Sequence, residues 1–145
     1  MPLDRKERSV YYRDMQIDHL TVPVRDYEAA KRFYAEALRP LGFEILLDWH
    51  DRKRAYFGVP DRPSSFWVVE STFAGALEVS LAVPDVGSVA AFHAASLAAG
   101  GRSLAEPGVQ PEHNDGYYAA RIADFDGNSI EAVARVTVET SALAA

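Results

Sequence analysis

At 145 residues, 48% apolar and 25% charged, the chain has the length and composition of one globular domain with a core of its own. A formal charge of −6 excludes the electrostatic footprint of a nucleic-acid or anionic-membrane binder, and the lack of cysteine excludes disulfide frameworks and thiolate sites. No apolar run approaches membrane-spanning length, and the charged start MPLDRKERSVYYRD has no apolar signal core, so a cytoplasmic location is expected.

Residues 1–14 read as an extension ahead of the domain. A strand is expected from Gln16 to Val24, followed by Asp26 as N-cap, its carboxylate placed to accept from orphan helix amides. Ala30, Phe33, Tyr34, Ala37, Leu38 and Leu41 recur at helical spacing on one face, with Glu28 one turn before Arg32. Pro40 and Gly42 stop this helix. Phe43–Trp49 and Ala55–Val59 read as strands joined by the charged tip at His50–Arg54. The turn cluster PDRPSS and a fourth strand, Phe66–Glu70, follow.

After a link at Ser71–Gly75 come a strand at Ala76–Val83, Asp85 as a second N-cap, a helix through Leu97, and Gly100-Gly101 as its stop. A short strand at Ser103–Leu104, a polar loop at Glu106–Gly116, and strands at Tyr117–Ala123 and Ser129–Ala134 complete the domain, leaving 136–145 as a tail. The DFDGN turn between the last two strands is not a calcium loop. Asp124, Asp126 and Asn128 fit its first positions, but Ser129 stands where glycine is required and Arg135 where the bidentate Glu belongs. Gly127 and Asn128 are expected to take positive φ there.

The chain carries an internal repeat. Moving Ile17 onto Ala76 lays IDHLTVPVRDYEAAKRFYAEALRPLGF over ALEVSLAVPDVGSVAAFHAASLAAGGR, so that Asp26 falls on Asp85, Phe33 on Phe92, Leu38 on Leu97, Gly42 on Gly101 and His19 on Glu78. Two copies are too few for a solenoid and point to a paired-module domain. Parity agrees in both copies: Leu20, Val22 and Val24, like Val79, Leu81 and Val83, form an apolar face for a helix. Ile17, His19 and Thr21, like Glu78, Ser80 and Ala82, form the other face. Aligning SSFWVV with NSIEAV sets Trp67 against Glu131.

A repeated βαβββ unit with IDHLTVPVRDYEAAKRFY, the LGF after its helix, and YYAARIADFDGNSIEAV resembles the vicinal oxygen chelate superfamily. That group includes glyoxalase I, extradiol dioxygenases and bleomycin-resistance proteins. The resemblance implies an α+β fold of two tandem βαβββ modules, 15–71 and 76–135, forming a curved, half-barrel-like sheet around a central cavity. It implies metal ligands on first and last strands, which carry over to His19, Glu78 and Glu131, with Trp67 in the fourth position. Trp67 cannot ligate, and Glu78 stands where many relatives have His.

Neutral His, two carboxylates and a divalent cation sum to zero charge, which relieves the repulsion of two carboxylates in one concave site. Such donors suit Zn, Ni, Co, Mn or Fe. The resulting expectation is a glyoxalase-like metal-dependent lyase or isomerase, less readily a dioxygenase, acting on a small oxygenated substrate, with Glu131 or Glu78 as general base. The alternative is a metal-free protein binding a small molecule or antibiotic, in which Trp67 stacks an aromatic or cationic ligand and the two Glu attract positive charge. Whether one chain or a homodimer closes the site stays open. His50, His93 and His113 are not expected to be ligands. Of Tyr56, Phe57, Tyr117 and Tyr118, only alternate residues can face the cavity.

Overall fold

The computed structural model describes residues 17–61, 65–110 and 116–136. The 1–14 extension, His113 and the tail from 137 on lie outside the described residues. The first module runs β1 (His19–Val24), α1 (Tyr27–Ala37), β2 (Glu44–Trp49), β3 (Arg54–Gly58) and β4 (Ser65–Glu70). The second runs β5 (Glu78–Ala82), α2 (Val86–Ala98), β6 (Arg102–Val109), β7 (Tyr117–Ala123) and β8 (Ser129–Arg135). The strand orders are β1-β4-β3-β2 and β5-β8-β7-β6, with β1–β4 and β5–β8 parallel and the other pairs antiparallel. These are the two tandem βαβββ modules of an α+β domain. Neither sheet closes into a barrel.

Local chemistry explains where the helices start. Asp26 and Asp85 sit in extended backbone and accept from Ala29 N (3.0 Å) and Ser88 N (2.7 Å), satisfying orphan amides at the first turn. After α1, Gly42 takes φ 82°, a left-handed residue that ends the helical segment.

The apolar stripes meet in a single core. Phe33, Tyr34, Phe57, Phe66 and Val68 of the first module cluster with Phe92, Ile122, Ile130 and Ala132 of the second. Val22 and Val24 are fully buried, whereas Val79, Leu81 and Val83 are half-buried against the same cluster. Phe33 reaches across to Phe125, ring centroids 5.2 Å apart, and lies so near Gly101 that a Cβ there would stand 2.8 Å from its ring.

A polar clasp joins the modules beside that core. Tyr34 Oη donates to Asp124 Oδ2 (2.6 Å), and Asn128 Nδ2 donates to Pro23 O (3.0 Å) and Asp124 Oδ2 (2.8 Å). Leu77 N donates to Asn128 Oδ1 (3.2 Å). The DFDGN turn is therefore an inter-module fastener, its Asp124 and Asn128 buried and hydrogen-bonded as such groups must be. Positive φ falls on Gly127 alone (90°), and Asn128 is held out of that region because its amide is committed to both modules.

Three further expectations needed revision. The edge strand β6 extends through Pro107 and Gly108 to Val109, where a loop was expected. Irregularities near Ala105 absorb the extra residues, and an edge strand tolerates a proline. Glu28 pairs with Lys31 (3.1 Å) and His50 (2.9 Å) rather than Arg32. The tip after β2 forms as expected, a turn at His50–Arg52 closed by Lys53 at φ 53°, but Arg54 belongs to β3 rather than to the tip.

Candidate functional site

Alternation along the strands sends one face of each sheet to the helices and leaves the other face open. On the first sheet the open face forms a hollow of about 490 Å³ lined by Asp18, His19, Thr21, Arg54, Tyr56, Trp67 and Val69. On the second it forms a smaller hollow, about 230 Å³, lined by Glu78, Ser80, Tyr117, Arg121, Ser129 and Glu131 among others. Register explains both sets. Thr21 lies opposite Trp67 and Tyr56 opposite Trp67, while Ser80 lies opposite Glu131 and Arg121 opposite Glu131.

In the first hollow, the rings of Tyr56 and Trp67 stack with centroids 5.0 Å apart and planes 30° from parallel. Cross-strand pairing holds both rings upright, so the aromatic surface is preorganised. Arg54 lies two residues before Tyr56, hence on the same face, opposite Val69. Its Nε is buried, and among the described residues it has no hydrogen-bond partner. His19 Nδ1 is bonded to Asp18 Oδ1 (2.8 Å). At the edge of this face Trp49, opposite Arg54, carries the Arg52 guanidinium 4.4 Å over its ring.

In the second hollow, Glu131 is buried, and Ser80 Oγ (2.7 Å) and the Tyr117 hydroxyl both donate to its Oε1. Burial, and next the Glu131 carboxylate, raise the Tyr117 phenol above its usual range, which keeps it protonated as a donor. Arg135 stacks over the Tyr117 ring at 4.5 Å.

The candidate residues therefore separate. Trp67 and His19 share one hollow, and Glu78 and Glu131 share the other. Among the described residues of one chain, no three His, Asp or Glu side chains come together closely enough to hold a metal ion. The donors that the described residues bring together in a single chain do not make up a metal centre, and Arg54 puts a fixed cation in the same hollow as His19. His93 is a core residue bonded to Ser103 Oγ (2.8 Å), and His50 pairs with Glu28. Of the aromatics, Phe57 faces the core and Tyr118 packs against it, whereas Tyr56 and Tyr117 face the hollows. Arg54 and Arg121 were not singled out by the sequence reading. Strand parity with Tyr56 and with Glu131 was the available signal.

With this fold and these hollows in view, comparison with known proteins agrees. Residues 16–132 match the model of the Glyoxalase/Bleomycin resistance protein/Dioxygenase superfamily. The chain belongs to that superfamily. No curated protein matches it significantly. Among solved structures, it is similar to a glyoxalase/bleomycin resistance protein from Albidiferax ferrireducens T118, with 27% identity, TM-score 0.70, and coverage of 83% of this chain and 98% of that one. It is also similar to TnmS3, an antibiotic binding protein from Streptomyces sp. CB03234, with 25% identity, TM-score 0.64, and coverage of 85% and 98%. A family enzyme from Burkholderia phytofirmans PsJN, 15% identical with TM-score 0.62 over 82% and 98%, shares the fold. No helix among the described residues is long and apolar enough to cross a membrane.

Proposed function

We propose that the chain binds a small planar molecule in the hollow of the first sheet, without a metal held by one chain. The observation that carries this is the stacked Tyr56–Trp67 pair, fixed across two strands in a concave face where the described residues bring no three metal-ligand groups together. A ring already held in place loses little freedom when a ligand stacks on it, so the interaction energy is retained. The similarity to an antibiotic binding protein supports a binding role for this fold. The test is calorimetric titration of 2-naphthamide. Trp67→Ala should weaken binding about tenfold, the scale of one good aromatic contact with its buried area. Unchanged affinity in that variant would place the ligand elsewhere.

A second reading, a metal-dependent lyase, isomerase or dioxygenase, has one observation in its favour. Asp18 engages His19 through Nδ1, the arrangement in which a carboxylate orients an imidazole ligand and leaves Nε2 for an ion. This reading takes His19 from one copy and Glu78 with Glu131 from another, in a homodimer, with Zn, Ni, Co, Mn or Fe as the ion. Elemental analysis of protein purified without chelator or metal-affinity resin decides it. One metal per chain, lost in both His19→Ala and Glu131→Gln, would favour the enzyme. Substoichiometric metal would leave the binding protein.

A further inference from the structure

Resting on the stacking reading, we infer that the ligand of the first hollow is a planar aromatic molecule bearing an anionic group, a carboxylate or its equivalent, recognised by Arg54. The sign follows from which charges share the aromatic face. Both acidic candidates that would have attracted a cation, Glu78 and Glu131, line the other hollow. The guanidinium of Arg54 stands on the same face as Tyr56 and Trp67.

Three features make Arg54 a recognition group rather than a solvated surface charge. Its backbone is fixed at both ends of the residue's environment: it is paired across to Trp49 and to Val69, and its carbonyl accepts from Tyr27 Oη (3.1 Å). Its Nε is buried yet lacks a partner among the described residues, a cost that a bound oxygen would relieve. No carboxylate lies within ion-pair distance of it among the described residues, whereas Lys31, Arg25 and Arg39 are all paired.

The other charges facing the hollow do not reverse this. The Asp18 side chain is 89% exposed and bonded to His19, so water and salt screen it more than the half-buried Arg54. Arg52, beside Trp49, adds positive charge at the rim. A planar guanidinium next to standing aromatic rings matches a ligand whose ring stacks while its carboxylate takes a bidentate pair of N–H donors.

Three probes of one shape and different charge test the proposal at pH 7: 2-naphthoate, 2-naphthamide and 2-naphthylmethylammonium, each titrated calorimetrically into the intact chain. Naphthoate is expected to bind about tenfold or more tightly than naphthamide, with the ammonium weakest, as one charge-assisted contact implies. In Arg54→Gln, the naphthoate advantage should vanish while naphthamide affinity stays within about twofold. Arg54→Lys should keep part of the advantage, since the charge remains and the fork does not. Equal binding of all three probes, or a naphthoate preference that survives Arg54→Gln, overturns the inference while leaving the stacking reading intact. No binding by any probe brings down the stacking reading itself. Should Arg54→Gln fail to fold, the wild-type ranking of the three probes still decides.

Discussion

Where β4 carries Trp67, β8 carries Glu131. Where β3 carries Tyr56, β7 carries Arg121. The two modules keep the same strand order and the same register at these positions, yet one hollow is aromatic and the other is built around a carboxylate that accepts from Ser80 and Tyr117, while each holds an arginine, Arg54 or Arg121, whose Nε is buried without a hydrogen-bond partner among the described residues. The difference teaches that backbone register is conserved by the core, whereas the open face is free to change. Residues on the helix side must fit a shared apolar cluster. Those on the other side fit their strand neighbours and what enters the hollow, with Tyr117, Ala119 and Val133 forming a small buried cluster of their own on the second sheet. Glu131 shows the consequence: once Ser80 and Tyr117 both donate to its Oε1, a carboxylate at a ligand-type position is also a structural acceptor.

The largest expected effect attacks the shared part of the comparison. Phe33 and Phe92 are buried at equivalent points of one core, so Phe33→Ala and Phe92→Ala should each cost about 3–5 kcal/mol in denaturant unfolding. A much smaller loss for one of them would show that the modules are equivalent in topology but not in packing.

Glu131→Gln sharpens the contrast between the hollows. Gln keeps an acceptor for Ser80 and Tyr117 but loses the charge, so stability should fall by about 1 kcal/mol. Affinity for 2-naphthamide should not change, because the aromatic pair lies in the other hollow. Loss of naphthamide binding in this variant would mean that the two hollows act as one site.

The smallest effect concerns a polar cluster of the first module. Asp48 accepts from Lys31 (2.8 Å) and from the Tyr27 hydroxyl, and those bonds, Lys31 first, hold its carboxyl below the usual range. A depressed folded-state value means stability that is present above the unfolded carboxyl range, about pH 4, and is lost as pH falls through the folded one. Urea midpoints between pH 6 and 3 should therefore drop more steeply for the wild type than for Asp48→Asn. Parallel curves would remove this cluster from the account of acid sensitivity.

How much was legible follows from which interactions are local. The repeat, both N-caps and the apolar stripes of α1 were readable because hydrogen bonds within four residues and a fixed helical period determine them. The equivalence of Trp67 and Glu131 was readable because strand parity is fixed once the repeat is aligned. The full length of β6 was not, since an edge strand with irregular pairing through Pro107 and Gly108 is stabilised by β7 and not by its own composition. Nor was the role of Asn128, which besides the nearby Asp124 engages Pro23 and Leu77, far away in the chain.

By itself, then, the sequence determined two like modules, the open face of each sheet, and which side chains stand on it, because periodicity and parity are properties of the local backbone. Only the tertiary structure decided that His19 and Trp67 lie in one hollow while Glu78 and Glu131 lie in another. Phe33 of α1 packs against Gly101, just past the end of α2, and against Phe125, in the turn between β7 and β8, so contacts between the modules set how the sheets stand to each other. That arrangement belongs to no single strand. It also decided the company of Arg54, a residue unremarkable in the run His50–Arg54 until β3 set its guanidinium beside two standing rings.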